Sequence, residues 1–453
     1  MLSDTLCRHI AATPFDAIPP DALANTRLAL LDAVGVMLAA SGMSAEAAPF
    51  ASLAIASGTG SANLLGRGRR TSPALAAFAN GALAHALDFE DTFDAAPCHP
   101  NAALVPAVLA LATMRPTSGR DLLTAMAIGC DLTCRIALSL TRPMTGWYPP
   151  PILGAFGATA AASRLLGLDA AATRSALSLA LCQATAPAEI KYSAGTSIRA
   201  IREAFPAQAA VLSALLARDG VIGFEQPFEG QGGFFEIFVG GGYDPAILTG
   251  RLGTYFHGAE LTFKRWPACR GTHAYIEAAL RLRGEPGFDW RRIDTVTIVV
   301  GEVQQMLVNP TDRKRAPATS IDAKFSIFFA VALALVRGEV GLDDFDARSR
   351  GDADILALTS RMSARLDPAA VPTAIGGVVE LVLVDGSRVA AAVPIALGHP
   401  SRAIPLPEMI EKFVACAERA AEPLSRPAAA RLADRLLAID ECDDISALFD
   451  PAQ

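Results

Sequence analysis

The chain has 453 residues, 52% hydrophobic and 19% charged, with a formal charge of −7 and an isoelectric point near 5.5. That length supplies core for two or three domains. The acidic balance argues against nucleic acid or an anionic membrane surface as a partner. No uninterrupted apolar run reaches the roughly 18 residues that span a bilayer. The longest, 102–112 and 326–336, have the length of buried helices. The start carries Asp4 and no apolar core of a secretory signal, so a cytoplasmic protein is expected. Eight cysteines are scattered without a C-x-x-C, which predicts neither a disulfide framework nor a zinc site. Cys130 and Cys134, one helical turn apart, read as core thiols.

In chain order, residues 1–262 read as helix almost throughout. Apolar residues recur at helical spacing over 22–38, 117–140, 155–166 and 170–184, with Ser118-Gly119 and Gly167-Leu168-Asp169 as joints. The stretch 80–106 is the unusual one. It starts as a small-residue helix carrying His85, adds Asp88, Glu90, Asp91, Thr92 and Asp94, and breaks at Pro97, Cys98, His99 and Pro100. Ionised groups wedged between apolar helices are costly unless paired, and such places are often site walls. Residues 226–243 are rich in glycine and aromatics without the strand and helix of a phosphate loop, and read as a loop over a site or subunit seam.

The texture changes at Phe263. Residues 271–283 and 323–336 read as helices, 293–300 as a strand, and 378–384 with 388–396 as a hairpin about Asp385-Gly386-Ser387. The fold class expected is mainly α, a large all-helical domain plus a smaller α+β domain with an antiparallel sheet at 263–398. Helices at 406–420 and 427–437 precede a short acidic tail.

Of 39 basic residues only five are lysine: Lys191, Lys264, Lys314, Lys324 and Lys412. A chain this biased toward arginine keeps lysine where an amine must be able to lose its proton. Lys191 and Lys264 read that way, and Lys412 reads as chance. Lys264, Arg265 and Arg270, with His273 one turn on, form a basic knot suited to a carboxylate substrate. Trp147 and Tyr148 stand before three prolines that hold the backbone extended. No G-x-S-x-G, P-loop or H-E-x-x-H is present, so serine hydrolase, kinase and zincin readings have no support.

Four stretches carry a family resemblance: 80–106, G-W-Y-P-P-P-I-L-G-A-F-G at 146–157, K-Y-S-A-G at 191–195 and F-K-R-W-P-A-C-R-G-T-H at 263–273. Together they resemble the MmgE/PrpD family of 2-methylcitrate dehydratases, aconitate decarboxylases and iminodisuccinate epimerase. The resemblance implies that 399–453 rejoin the first domain, and that chemistry starts with proton loss beside a carboxylate. Decarboxylase-like and many dehydratase-like members have histidine where this chain has Tyr148, whereas the epimerase-like member has tyrosine. The family often reads K-x-L-H-A-G where this chain reads K-Y-S-A-G. These departures favour an epimerase of an iminodisuccinate-like amino-dicarboxylate, with a 2-methylcitrate dehydratase-like or aconitate decarboxylase-like lyase as the alternative. Tyr148 and Lys191 are then the expected bases, with His99 oriented by Asp88 or Asp91 as acid or clamp. Asp91, Thr92, Lys264, Arg270 and His273 are the expected substrate-binding residues. No metal or cofactor is expected, and a homodimer is, because much apolar helix surface remains to be buried.

Overall fold

The computed structural model describes residues 1–96, 98–193, 195–368 and 375–448. Pro97 of the expected break, Ala194 of the K-Y-S-A-G stretch and the last residues of the acidic tail lie outside them.

The helical part is built from Pro20–Met43, Pro73–Ala86, Pro100–Ala112, Gly119–Ser139, Pro149–Leu165, Ala170–Leu181 and Ala204–Arg218. Four of these seven start with proline, which costs no intrahelical bond at that position and presets φ. Small residues let the helices approach closely. A Cβ on Gly129 would lie 2.4 Å from the carbonyl oxygen of Gly157, so Gly119–Ser139 and Pro149–Leu165 touch backbone to backbone. A Cβ on Gly81 would lie 2.7 Å from the Glu203 carbonyl, which seats the start of Ala204–Arg218 against Pro73–Ala86.

Three helical stretches, Pro20–Met43, Gly119–Ser139 and Ile198–Arg218, are long and apolar enough by composition to cross a membrane. This corrects the expectation that no segment qualifies, because scattered polar residues interrupt the runs without lowering their mean hydropathy enough. Their most apolar windows are 72–89% buried inside the fold, so the surface that lipid would cover is covered by other helices.

The second part holds a four-stranded sheet of order β4-β3-β5-β6: β3 Ile293–Val300, β4 Met362–Leu366, β5 Gly377–Leu383 and β6 Arg388–Val393. The hairpin β5–β6 turns where expected, with Gly386 at φ 82°. The sheet is mixed rather than antiparallel, because β4 runs parallel to β3. Helices at Ile327–Arg337 and Ala353–Ser360 fill the long connection that a parallel return requires. His273–Arg283 packs on β5 and β6, with Ile327–Arg337 behind it. A small hairpin, β1 Ala62–Leu64 with β2 Arg69–Thr71, lies on the helical part.

The helices Leu406–Ala417 and Arg426–Leu437 pack against Pro20–Met43, where a Cβ on Gly35 would lie 2.9 Å from the Phe413 ring. In the glycine and aromatic stretch the aromatic side chains turn inward to the core, and Phe234–Val239 forms a short helix. Phe228, Phe234 and Phe235 are buried, Phe234 packs 5.0 Å from Phe156, and Tyr243 stacks 3.8 Å from Phe235. Its phenylalanines bury more apolar area than a surface loop can forgo.

Candidate active site

Two chain segments meet at the centre of this fold. The Pro73–Ala86 helix ends by delivering His85 inward, and Asp88 follows in left-handed backbone at φ 49°, a conformation aspartate tolerates. The chain then continues through a bend at Glu90 to Thr92, which pairs with Thr262 through two backbone hydrogen bonds of 2.9 and 2.8 Å. That pairing brings Lys264 beside Asp88 and Glu90. His99 closes the loop at the residue preceding the Pro100–Ala112 helix.

Lys264 is fully buried and donates to an Asp88 carboxylate oxygen, to the Asp88 carbonyl at 3.1 Å, and lies 3.8 Å from Glu90. His85 Nδ1 is hydrogen-bonded to Glu90 Oε1, and His99 Nδ1 lies 2.8 Å from the same oxygen. The two imidazoles pack edge to face, 5.0 Å apart. Burial would raise both carboxyls, but Lys264 with His85 brings Asp88 down to about 2, and His85 with Lys264 holds Glu90 well below its usual range. Burial lowers Lys264, yet Asp88 and Glu90 outweigh it and raise it. Burial, then Arg202, lowers His85 to about 3, and burial lowers His99. At neutral pH the cluster is two carboxylates, one ammonium and two neutral imidazoles.

His85, Asp88, Glu90 and His99 present donor atoms within 4.8 Å of one another, a set that could ligate a divalent cation. The sequence shows no such spacing, because the fold assembles it from a helix end and a loop. The Lys264 ammonium already lies against both carboxylates and supplies the charge that a metal would bring.

The second half of the site comes from the short helix Ile198–Ile201 and the start of Pro149–Leu165. Lys191 Nζ lies 5.5 Å from the centre of the Tyr148 ring, and Arg202 lies 5.1 Å from it. Tyr148 is 7% exposed. Arg202 is buried, donates to Glu203 at 3.1 Å and to the Arg199 carbonyl at 2.9 Å, and its Nη2 has no partner among the described residues. Arg199 lies over the Phe325 ring at 3.5 Å, and among the described residues its buried Nε and Nη2 also have no partner. Burial and then the nearby Arg199 lower Lys191. Burial raises Glu203 to about 7 against the opposing pull of Arg202. Buried charged donors without acceptors are costly, and an anion placed here could satisfy them.

The structure thus gathers His99, Asp88 and Lys264 into one cluster, with Tyr148 and Lys191 side by side near Arg202. Arg270 stands apart. It binds Asp94 at 2.9–3.1 Å and the carbonyls of Leu397 and Ala396, so its donors hold the chain together. His273 is buried, 3.2 Å from the Ala268 carbonyl and packed on Trp266, and burial keeps it neutral. Asp91 accepts from Asn101 at 3.0 Å, and Thr92 reaches Asp94 at 3.3 Å. Residues not singled out from sequence include Arg199, Arg202 and Glu203, which carry no motif, and Lys412, which lysine scarcity could have found. A cavity of about 640 Å³ lies between the small hairpin and residues 422–435, but none of the residues above lines it.

Residues 4–246 match the MmgE/PrpD N-terminal domain and residues 266–436 the MmgE/PrpD C-terminal domain. A cis-aconitate decarboxylase-like protein of Aspergillus oryzae is 28% identical over 75% of this chain and 74% of its own length. The cis-aconitate decarboxylase of Homo sapiens is 26% identical over 77% of this chain and 74% of its own. The 2-methylcitrate dehydratase of Cupriavidus necator is 26% identical over 75% and 74% respectively. These relatives are named as lyases. They support the lyase alternative drawn from the sequence and lend no support to the epimerase.

Proposed function

The chain belongs to the MmgE/PrpD family, and from that premise we propose that it is a lyase acting on a small polycarboxylate. It removes water or carbon dioxide at carbon next to a carboxylate. The observation that carries the reading is the set of unpartnered, buried guanidinium nitrogens of Arg199 and Arg202 beside Lys191 and Tyr148. Arginine pairs with carboxylates in bidentate fashion, so Nε and Nη2 of Arg199 take one carboxylate and Arg202 Nη2 offers a further donor to a second.

The cluster opposite supplies the proton chemistry. His99, neutral, takes the proton from the carbon beside a carboxylate, and Glu90 at 2.8 Å stabilises the imidazolium that forms. Lys264, held by Asp88, stands where negative charge develops. In dehydration the freed electron pair forms the carbon–carbon double bond as the β-hydroxyl leaves, and the Tyr148 phenol protonates it to water. In decarboxylation the pair from the breaking carbon–carbon bond stays on carbon until that carbon is protonated. A neutral histidine on a carboxylate favours dehydration, which starts with a base.

The test offers the purified protein 2-methylcitrate and cis-aconitate separately and follows the products by NMR. An unsaturated tricarboxylate, or carbon dioxide with an unsaturated dicarboxylate, is expected. Stereoisomers of an amino-dicarboxylate interconverting with solvent deuterium, and neither lyase reaction, would overturn the reading.

A further inference from the structure

Lys412 reads from sequence as a chance lysine, yet it ends against the two segments that make the catalytic cluster. It lies on the Leu406–Ala417 helix and its side chain is 7% exposed. Its ammonium donates to the Phe89 carbonyl at 2.8 Å and to the Lys264 carbonyl at 2.9 Å. It also pairs with Asp32 on the Pro20–Met43 helix at 2.6 Å and lies 3.7 Å from the centre of the Phe89 ring. Phe89 is flanked by Asp88 and Glu90, and Lys264 is their partner. One ammonium therefore ties the backbone of both carboxylates to the backbone of the lysine they hold.

The Asp88 turn is left-handed, and the Thr92–Thr262 bridge lies beyond it on the far side of Glu90. The distance from Lys264 to Asp88 and Glu90 is thus set at one end by that bridge and at the other by Lys412. The single ammonium supplies three donors, which reach the Phe89 carbonyl, the Lys264 carbonyl and the Asp32 carboxylate.

We propose that Lys412 is a positioning residue for this active site: with Asp32 as its counter-ion, it fixes Lys264 against Asp88 and Glu90 from outside the substrate-contacting shell. The Asp32–Lys412 pair touches no atom of the unpartnered arginine wall, so its loss should change turnover and not substrate capture. The kinetic part rests on the lyase reading. The geometric part does not.

The test uses the full chain with Lys412→Met and Asp32→Asn made together, so that no unpaired charge remains buried. Biosynthetic ε-13C-lysine labelling gives five lysine signals in the wild type, one for each lysine, assigned by single Lys→Arg changes. In the double variant the Lys264 signal should move while those of Lys191 and Lys314 stay. With the substrate that the wild type turns over, kcat should fall about 10²-fold, the order expected from a small misplacement of a catalytic group, with KM little changed. An unmoved Lys264 signal overturns the proposal, as does a moved signal with unchanged kcat. A rise in KM at constant kcat also overturns it, since that would place Lys412 in substrate binding. If the wild type turns over neither lyase substrate, the function reading fails, and the Lys264 signal alone decides the positioning role. A variant that melts far below the wild type is replaced by Phe89→Leu, which removes the ring under the ammonium and should move the Lys264 signal in the same direction.

Discussion

Arg199→Met removes a guanidinium whose Nε and Nη2 are buried without partners among the described residues. Leaving charged donors unsatisfied costs about 1–3 kcal/mol, so their removal should stabilise the fold by that order. The same change loses the contact with Phe325 at 3.5 Å, and a desolvated cation–π contact contributes about 2 kcal/mol. The two nearly cancel, leaving a net change of about 1 kcal/mol or less. Unfolding entropy of about 2.1 cal/mol/K per residue, taken over 453 residues, makes that a shift in Tm of about 1 °C. Binding has no such compensation. A hydrogen bond between charged groups contributes about 1.5–3 kcal/mol, so kcat/KM should drop about 10- to 100-fold. Calorimetry and steady-state kinetics on one preparation read both numbers. Unchanged kcat/KM would refute the carboxylate-binding role. A fall in Tm of about 3–5 °C, the size of a broken buried ion pair, would show that the guanidinium is structural.

His99→Asn should lower kcat by about 10²–10⁴-fold, as loss of a general base does, with Tm nearly unchanged, measured by turnover and melting. Burial raises Asp91 to about 7 in the fold, with Asn101 opposing and Asp32 and Glu90 reinforcing. The folded state then holds a proton that the unfolded chain has lost, so this group makes stability fall as pH rises from about 4 to about 7. Asp91→Asn should flatten that decline in urea midpoints taken between pH 4 and pH 8, leaving the part due to Glu203. Sedimentation should give twice the 47.2 kDa chain mass, because Phe205, Leu212 and Leu216 leave an apolar face on one helix surface. A single 47 kDa species at micromolar concentration would count against the dimer.

Much was decided by local chemistry that the chain carries in its order of residues. Helical spacing of apolar residues, proline starts and the Asp385-Gly386-Ser387 turn act within a few neighbours, so the helices and the β5–β6 hairpin could be read directly. The concentration of charge at 85–99 also marked a place where distant partners are needed, because ionised groups at a helix end have few local ones. What those partners are is a long-range matter. Lys264 meets Asp88 across 176 residues, and Lys412 meets Phe89 across 323. No periodicity encodes such distances, since they follow from how glycine-lined helices stack and where Thr92 pairs with Thr262. The parallel β4, the buried aromatic stretch at 228–243 and the engagement of Arg270 by Asp94 were settled in the same way. Residue type says that a charge needs a counter-charge, and only the packed chain says which one lies within 3 Å.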